Sequence, residues 1–310
     1  MVRGPADPSG LPWYSILLGY PVLGIWYWCC DQTIVQRVLA ARDERQARLG
    51  PLFCAFLKIL PVFFFVLPGV IAVALVQQGA FGGAAPAKAA DTYTFLLIHL
   101  LPVGLKGLVA AAMLAAAMQT CSAALNSSAT LVAYDLVKRW RPATTEHQLV
   151  LIGKITTVIA TVVAIVMSPL FGHYTTIFEG INKLISYVAP PITTVFLLGV
   201  FWKRASATAA FLTLVGGFVL GAIMFVVDWY GVYRGDFMLI AFLLLVACGG
   251  IMIVATFLFP SPLKEEARPL IWEDWREPLR GDPHGRGLGN YRVLSAVVLG
   301  AFVVLYLMFH

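Results

Sequence analysis

The stretch from Tyr20 to Ala41 reads YPVLGIWYWCCDQTIVQRVLAA and decides the fold class. It is apolar and long enough for a membrane span, yet Asp31, Gln32 and Gln36 follow directly after an aromatic cluster. Polar side chains are costly within a bilayer and usually contact a solute or line an ion pathway. The stretch therefore predicts a membrane helix whose polar residues serve a function.

The composition extends this interpretation to the whole chain. Of its 310 residues, 60% are hydrophobic and 12% are charged, and the mean hydropathy is +0.83. A soluble core of this size could not enclose so much apolar surface. Crossing a bilayer takes about 20 apolar helical residues, and runs of that length predict an all-α polytopic protein with about eight spans. These lie at about 12–36, 51–78, 104–137, 147–171, 177–202, 205–229, 236–259 and 291–309.

The basic residues gather in alternate loops, and this distribution predicts the orientation of the spans. Lys and Arg near span ends collect on the cytoplasmic side. The loops after the first, third, fifth and seventh spans hold most of them and are therefore predicted to lie inside. The net charge of +6 comes from these loops and indicates contact with acidic lipids, not with nucleic acid. Charged residues at the other span ends are assigned no chemistry: Asp135, His147, Lys154, His173, Asp228 and Asp236.

Helix breakers in the first span predict an interrupted helix. Gly19, Pro21 and Gly24 lie within a span that must satisfy its own backbone hydrogen bonds. Such residues are tolerated where an unwound turn lines a cavity, and that turn would present backbone groups to a ligand.

Aromatic and polar residues after these breakers predict a solute site. Tyr27 and Trp28 combine flat apolar faces with a polar edge, which suits a sugar or a polyol. An aromatic belt at the membrane interface is the alternative. Asp31 and Gln32 follow at once, which favours the solute site.

Lys58 in the second span has two interpretations. If the helix begins near Pro51, the side chain starts about 10 Å along it and can reach the cytoplasmic face. Alternatively its ammonium contacts a solute hydroxyl or pairs with Asp31.

The third span predicts a sodium site. Six alanines between Ala110 and Ala117 permit close packing and are followed by Gln119, Thr120 and several other polar residues. A hydroxyl and freed backbone carbonyls near Ala116 could replace the water of an alkali cation. In the alternative interpretation the hydroxyls bond to their own helix or to a neighbouring one.

The fifth span predicts an outer gate. Glu179, Asn182 and Ser186 share one helical face near its outer end. Interfacial solvation explains Glu179 and Lys183 equally well. The Pro-Pro pair at 190–191 predicts a kink about which the helix can pivot.

The order and spacing of four motifs resemble the sodium:solute symporter family, in particular its sodium–glucose cotransporter-like branch. The motifs are GIWYWCCDQTIVQRVLAA, AFLKILP, LNSSATLVAYDL and ISYVAPPITTVFLLGVFWKR. The resemblance implies an inverted-repeat core of five plus five helices, with a central solute site and a sodium site beside it. Here 12–202 would be the second repeat of a single transmembrane domain over 1–310. Three peripheral helices over 203–310 would include a cytoplasmic connector at about 260–290, lying on the membrane surface through Trp272 and Trp275.

The first repeat is then expected to be missing, and an upstream segment or a partner chain would supply it. The residues before Pro12 agree with this expectation, because they contain no apolar signal segment that would export the start of the chain.

By position, the resemblance implies roles for individual residues. Tyr27 matches an aromatic inner gate that stacks on the sugar, and Lys58 matches a lysine that contacts sugar hydroxyls. Asn182 stands where sugar-transporting members have a glutamine, and Gly24 where they have a polar residue.

The resemblance also implies a set of sodium ligands. Ala116 matches a ligand through its backbone carbonyl, and Thr120 matches a hydroxyl ligand. Gln119 replaces a residue that is often serine, and its amide oxygen would substitute.

The predicted function is sodium-coupled symport of a small polar solute, a sugar or polyol, by alternating access at the cell membrane. Sodium is the expected co-transported ion, with no organic cofactor and no covalent chemistry. One alternative is a non-transporting structural fragment or subunit that needs a partner. The other is a membrane-embedded enzyme or sensor with Asp31 and Lys58 as an acid–base pair.

Overall fold

A computed structural model of the chain describes residues 12–88, 91–174, 176–232, 236–262, 265–272 and 290–309. Over these ranges the chain forms helices and connecting turns, with no strand. The helices are α1 (Trp13–Ile25), α2 (Gln32–Leu39), α3 (Glu44–Leu57), α4 (Leu67–Gln77), α5 (Thr92–Leu100), α6 (Val103–Thr130), α7 (Glu146–Met167), α8 (Ile177–Phe201), α9 (Ala207–Trp229), α10 (Phe237–Leu258) and α11 (Tyr291–Phe309). Three π-helical segments join them, Trp26–Cys30, Val62–Val66 and Leu131–Lys138.

Within the described ranges, six helical stretches are long and apolar enough to cross a membrane, which confirms the all-helical polytopic class. They are Glu44–Gln77, Val103–Lys138, Glu146–Met167, Phe178–Phe201, Ala207–Trp229 and Phe237–Leu258. The first predicted span falls short as a single helix, because it is interrupted at Asp31. The eighth is represented by a shorter apolar stretch, Tyr291–Leu305.

The second predicted span begins earlier than expected. Asp43 is extended and accepts a hydrogen bond from the Gln46 N–H at 2.7 Å, so it caps a helix that starts at Glu44. At the other end, α3 stops at Leu57, and Lys58 is its C-cap and the first residue of the following turn. The estimate of 10 Å between the helix start and Lys58 is wrong for this reason.

The chain divides into two compact units. The first contains the residues up to Val35, Tyr174–Val293 and the end of the chain from Leu299, and the second contains Gln36–His173 and Leu294–Val298. The boundary falls within α2, between Val35 and Gln36. The division into a second repeat and peripheral helices stays a prediction.

In the first unit, α9 packs on α8 through a small-residue face. Ala209, Thr213, Gly217 and Gly221 recur at every fourth position and are buried. A Cβ at Gly221 would lie 2.2 Å from the Tyr187 carbonyl oxygen, so only glycine permits this approach. Small residues at helical spacing thus set the distance between these two helices.

The two prolines of α8 lie inside a helix that continues from Ile177 to Phe201. Pro190 and Pro191 are fully buried against neighbouring helices. Pro191 has no N–H to donate to the Tyr187 carbonyl, and this is the carbonyl that Gly221 approaches. A pivot at these prolines stays a prediction.

Gly19 has a packing role in the first unit. A Cβ at Gly19 would lie 2.0 Å from the Met238 carbonyl oxygen, so α1 contacts the backbone of α10 directly. Further along α1, Leu23 packs with Ala189 and Ala241 in a buried cluster. The start of the broken helix is therefore fixed on α8 and α10.

The start of the predicted connector contacts α8. The Trp272 N–H donates to the Val200 carbonyl at 3.1 Å, and its ring meets Phe201 edge-on with centroids 5.1 Å apart. Trp275, the other residue predicted on the membrane surface, lies outside the described residues.

In the second unit, α6 and α7 form a hairpin whose loop end is fixed by polar contacts. Lys138 Nζ lies 2.8 Å from Glu146 Oε1, and the Tyr134 hydroxyl donates to Glu146 Oε2 at 3.0 Å. Thr145 and Gln148 form a capping box at the start of α7. Most of α6 is exposed, including Gln119 and Thr120.

Candidate functional site

The first helix is interrupted, at a later position than its breakers indicated. The α-helix continues through Gly24 to Ile25, becomes a π-helical turn over Trp26–Cys30 and stops at Asp31, whose backbone is extended at φ −70° and ψ 119°. The π turn widens the helix before the break, and because π turns are frequent at functional sites it marks a candidate functional position.

Tyr27 and Trp28 lie within this π turn. Their rings meet edge-on, with centroids 5.5 Å apart and an interplanar angle of 89°. Tyr27 is exposed, while its neighbour Trp26 packs on the buried cluster of Leu23. An anchored turn therefore presents one aromatic ring away from the core, as a stacking surface requires.

Asp31 has a structural role in the described geometry. Its Oδ1 accepts a hydrogen bond from the Thr33 N–H at 2.7 Å and another from the Thr33 hydroxyl. Asp31 thus caps α2, and Gln32 is the first residue of that helix. One of its carboxylate oxygens is therefore engaged locally.

The three residues of the predicted outer gate make different contacts. Asn182 Nδ2 donates to the Phe178 carbonyl at 2.8 Å, so its amide is oriented by its own helix. Ser186 is fully buried and donates to the Asn182 carbonyl at 2.7 Å. Glu179 instead approaches Lys183, with 3.5 Å between Oε1 and Nζ.

Lys183 is the centre of an ionic cluster that the sequence did not reveal. Its Nζ lies 3.2 and 3.3 Å from the two carboxylate oxygens of Asp228, the residue on α9 to which no chemistry was assigned. The side chains of Lys183 and Asp228 are 17% and 10% exposed, so the pair is largely shielded from water. Lys183 and Asp228 are 45 positions apart, so no local sequence pattern indicated their contact.

Tyr174 completes this cluster from the loop before α8. Lys183 Nζ lies 5.6 Å from the centre of its ring, within the range of a cation–π contact. Burial, and then the negative charges of Asp228 and Glu179, raise the pKa of the Tyr174 phenol, while Lys183 opposes them.

The remaining predicted residues lie in the second unit. The Thr120 hydroxyl donates to the Ala116 carbonyl at 3.0 Å, so the two predicted sodium ligands are adjacent. This is also the bond to its own helix that the alternative interpretation expects. Gln119 is exposed beside them, and Lys58 is exposed at the end of α3.

These features define a polytopic helical membrane protein with a broken helix, an arrangement typical of secondary transporters. The model of the sodium:solute symporter family matches residues 1–217, and the chain belongs to that family. It is accordingly a multi-pass protein of the cell membrane, and the prediction that it is not an enzyme is confirmed by this membership.

The chain is similar to several cotransporters. It is 32% identical over 302 residues to the sodium/mannose cotransporter of Bos taurus, an alignment that covers 88% of this chain and 50% of the relative. It is 36% identical over 237 residues to sodium/myo-inositol cotransporter 2 of Homo sapiens, covering 72% and 35%. It is 36% identical over 241 residues to sodium/glucose cotransporter 4 of Mus musculus, covering 74% and 35%. The chain thus spans half or less of the length of these relatives.

Proposed function

We propose that this chain carries solute and sodium contacts of a sodium-coupled symporter that moves a sugar or polyol by alternating access. The observation that carries the proposal is the helix break at Asp31, with the exposed ring of Tyr27 in the preceding turn. Broken membrane helices in transporters present backbone groups to substrates and ions. The names of the relatives, which include mannose, myo-inositol and glucose cotransporters, favour a polyhydroxylated solute.

In the first unit, the solute contacts surround the break. Tyr27 and Trp28 supply apolar faces for a sugar ring, and Tyr27 also acts as a gate. Asp31 and Gln32 hydrogen-bond hydroxyl groups. The bond from Asn182 Nδ2 to the Phe178 carbonyl orients the amide, and Asn182 Oδ1 accepts a hydrogen bond from a solute hydroxyl.

Glu179 is proposed as the second gating residue. It is held on Lys183 at the outer end of α8, one helical turn before Asn182. A rearrangement of this ion pair would change access to Asn182 from the outer side.

In the second unit, Ala116, Gln119 and Thr120 are the proposed sodium ligands, and Lys58 is a further solute contact. The Ala116 carbonyl and the Thr120 hydroxyl place two oxygens 3.0 Å apart, close enough to share one cation. Each sodium that enters gains about 2.3 kcal/mol per 100 mV of membrane potential.

The exposed face of α6 favours contact with further helices. Gln119, Thr120, Ser122 and Asn126 are exposed on a helix built to cross a membrane. Exposure of such groups to lipid is costly, so helices from an upstream segment or a partner chain would cover them.

Uptake into proteoliposomes tests the proposal. The full chain is reconstituted and supplied with labelled myo-inositol, mannose or glucose under an inward gradient of sodium or of choline. Sodium-dependent uptake of at least one solute is expected. Tyr27→Ala should abolish it, whereas Tyr20→Ala, which removes another exposed tyrosine, from α1, should leave it intact.

Binding measured on the same preparations separates the remaining outcomes. Sodium-dependent binding without uptake would assign the chain to a subunit that needs further helices. Absence of both, in a folded chain, would contradict the proposed function.

A further inference from the structure

We infer that Gln36 and Ser127 form a positioning contact that passes a movement of α6 to the helix break at Asp31. The inference rests on the proposed sodium site at Thr120, and it adds the route by which sodium binding would reach the solute side.

The contact is a hydrogen bond between two side chains 91 positions apart. Gln36 Nε2 donates to Ser127 Oγ at 3.0 Å, and Ser127 Oγ in turn donates to the Ala123 carbonyl at 2.9 Å. The hydroxyl therefore uses both its proton and a lone pair. Gln36 and Ser127 belong to the same compact unit.

Ser127 differs from the rest of α6 in its burial. It is only 4% exposed, whereas the preceding polar residues of that helix, from Gln119 to Asn126, are exposed. Its neighbour Ser128 makes the same bond to its own helix, at 3.0 Å to the Ala124 carbonyl, but Gln36 donates to Ser127. The contact with α2 thus distinguishes Ser127 from an otherwise similar serine.

The position of Ser127 connects it to the proposed sodium site. Ser127 follows Thr120 by two helical turns, about 10 Å along the same helical face. It lies just before the π-helical segment Leu131–Lys138, and π-bulges are among the points at which helices kink. A shift of α6 at Thr120 would therefore displace Ser127.

The position of Gln36 connects it to the break. Gln36 lies near the middle of α2, a helix of 8 residues that begins directly after the extended Asp31. A short helix moves as a rigid piece, whereas an extended residue and a π turn absorb changes in direction. A displacement of Gln36 by Ser127 would thus change the backbone direction at Asp31 and in the turn that holds Tyr27.

Hydrogen exchange with and without sodium tests this link in the full chain. The variants are Gln36→Met, which keeps the side-chain volume, Ser127→Ala, and Ser128→Ala as the matched control. Loss of the bond should make the amides of residues 32–39 exchange about two- to tenfold faster, the factor expected from one hydrogen bond. Ser128→Ala should leave that exchange unchanged.

The effect of sodium on hydrogen exchange separates a positioning role from a merely structural one. A structural role would leave the sodium response of α2 unchanged. In the wild type, sodium should slow exchange in α6 around Thr120 and also in α2. In Gln36→Met and Ser127→Ala, α6 should still respond while α2 should not. The double variant should be no worse than either single variant.

The possible failures are distinct. Sodium protection of α2 that persists in Ser127→Ala, or equal effects of Ser127→Ala and Ser128→Ala, would overturn the positioning contact alone. Absence of any sodium response in wild-type α6 would overturn the sodium site at Thr120 and, with it, this inference.

Discussion

The ammonium of Lys183 lies 3.2 Å from Asp228 Oδ1 and thereby joins the outer part of α8 to the end of α9. Glu179 contributes a second, longer ion pair at 3.5 Å. The cluster of one cation and two carboxylates has a net charge of −1 and lies one residue from the proposed solute contact Asn182. Its contribution to stability and its effect on Tyr174 can be measured separately.

Asp228→Ala should destabilise the protein more than Glu179→Ala. Removal of Asp228 deprives the largely buried Lys183 of its closer ion pair, and we expect a loss of about 2–3 kcal/mol in the free energy of unfolding. Glu179 is more exposed, and its removal should cost less than about 1 kcal/mol. Chemical unfolding in micelles measures both values. Equal losses would show that Lys183 does not depend on Asp228.

The pKa of Tyr174 should respond in opposite directions to its two charged neighbours. Asp228→Asn removes a negative charge that raises the pKa of the phenol, so ionisation should occur at lower pH. Lys183→Met removes the opposing positive charge and should shift ionisation to still higher pH. Absorbance of tyrosinate, taken as the difference from Tyr174→Phe, measures this. Shifts of the same sign would contradict the described cluster.

The raised pKa of Tyr174 also determines the direction in which its contribution to stability changes with pH. Tyr174 binds its proton more tightly in the folded state than in the unfolded one, so its contribution is complete below the ordinary tyrosine pKa of about 10. It is lost as pH rises through the higher pKa of the folded state. Tyr174→Phe should therefore lose less stability than the wild type as pH rises above about 10. An identical decline in both proteins would contradict this assignment.

Two adjacent glycines of α9 should respond differently to alanine. A Cβ at Gly217 would lie 2.7 Å from Cys248 Sγ and from the Pro191 ring, whereas a Cβ at Gly216 would meet Ile251 at an ordinary 3.6 Å. Gly217→Ala should therefore cost about 1–3 kcal/mol through overpacking. Gly216→Ala should be neutral or stabilise by up to about 1 kcal/mol, because alanine favours a helix. Thermal unfolding in detergent compares them.

Gly221→Ala extends this comparison to a backbone contact. The new Cβ would meet the Tyr187 carbonyl at 2.2 Å, where no side-chain rotation relieves the clash. We expect it to be at least as destabilising as Gly217→Ala. Tolerance of both substitutions would mean that α8 and α9 do not pack at this distance.

The class of fold could be predicted because membrane spans are encoded by local composition. Apolar runs located six long helices, and the breakers of the first span indicated an interruption. The position of that interruption could not be predicted, because Gly19 is required by the Met238 backbone rather than by unwinding. A glycine needed for packing and one needed for a break look alike in sequence.

Candidate site residues could be proposed from the sequence where the signal is a local motif, and less so where it depends on contacts between helices. Tyr27 and Thr120 are candidates because of their neighbours along the chain, and their roles stay predictions. The partners of Lys183 and Ser127 lie 45 and 91 positions away, and nothing in the intervening sequence encodes either pairing. Asp31 shows a related difficulty. A carboxylate at this position can cap α2 or bind a ligand, and the sequence alone does not distinguish the two roles.

Substitutions at Asp31 should separate these two roles. Asp31→Asn keeps an oxygen that caps α2, whereas Asp31→Ala removes the bond to the Thr33 N–H and should lower local stability by about 1 kcal/mol. Hydrogen exchange of α2 should therefore accelerate in the alanine variant only. If the cap is the main role, Asp31→Asn should also retain solute binding. Loss of binding in both variants, with α2 protected in Asp31→Asn, would assign the charge to the solute instead.

Thr120→Ala should weaken sodium dependence without disturbing the fold. The hydroxyl donates to the Ala116 carbonyl of its own helix, and alanine is a better helix former, so unfolding should be unaffected. As a sodium ligand, however, its loss should raise the sodium concentration for half-maximal binding or uptake about tenfold, equivalent to about 1.4 kcal/mol. Thr161→Ala removes the same type of bond, at 2.8 Å to the Thr157 carbonyl, from α7 and serves as the matched control. Equal sodium dependence of the two variants would show that Thr120 only bonds to its helix, as most membrane threonines do, and would remove the hydroxyl from the proposed ligand set.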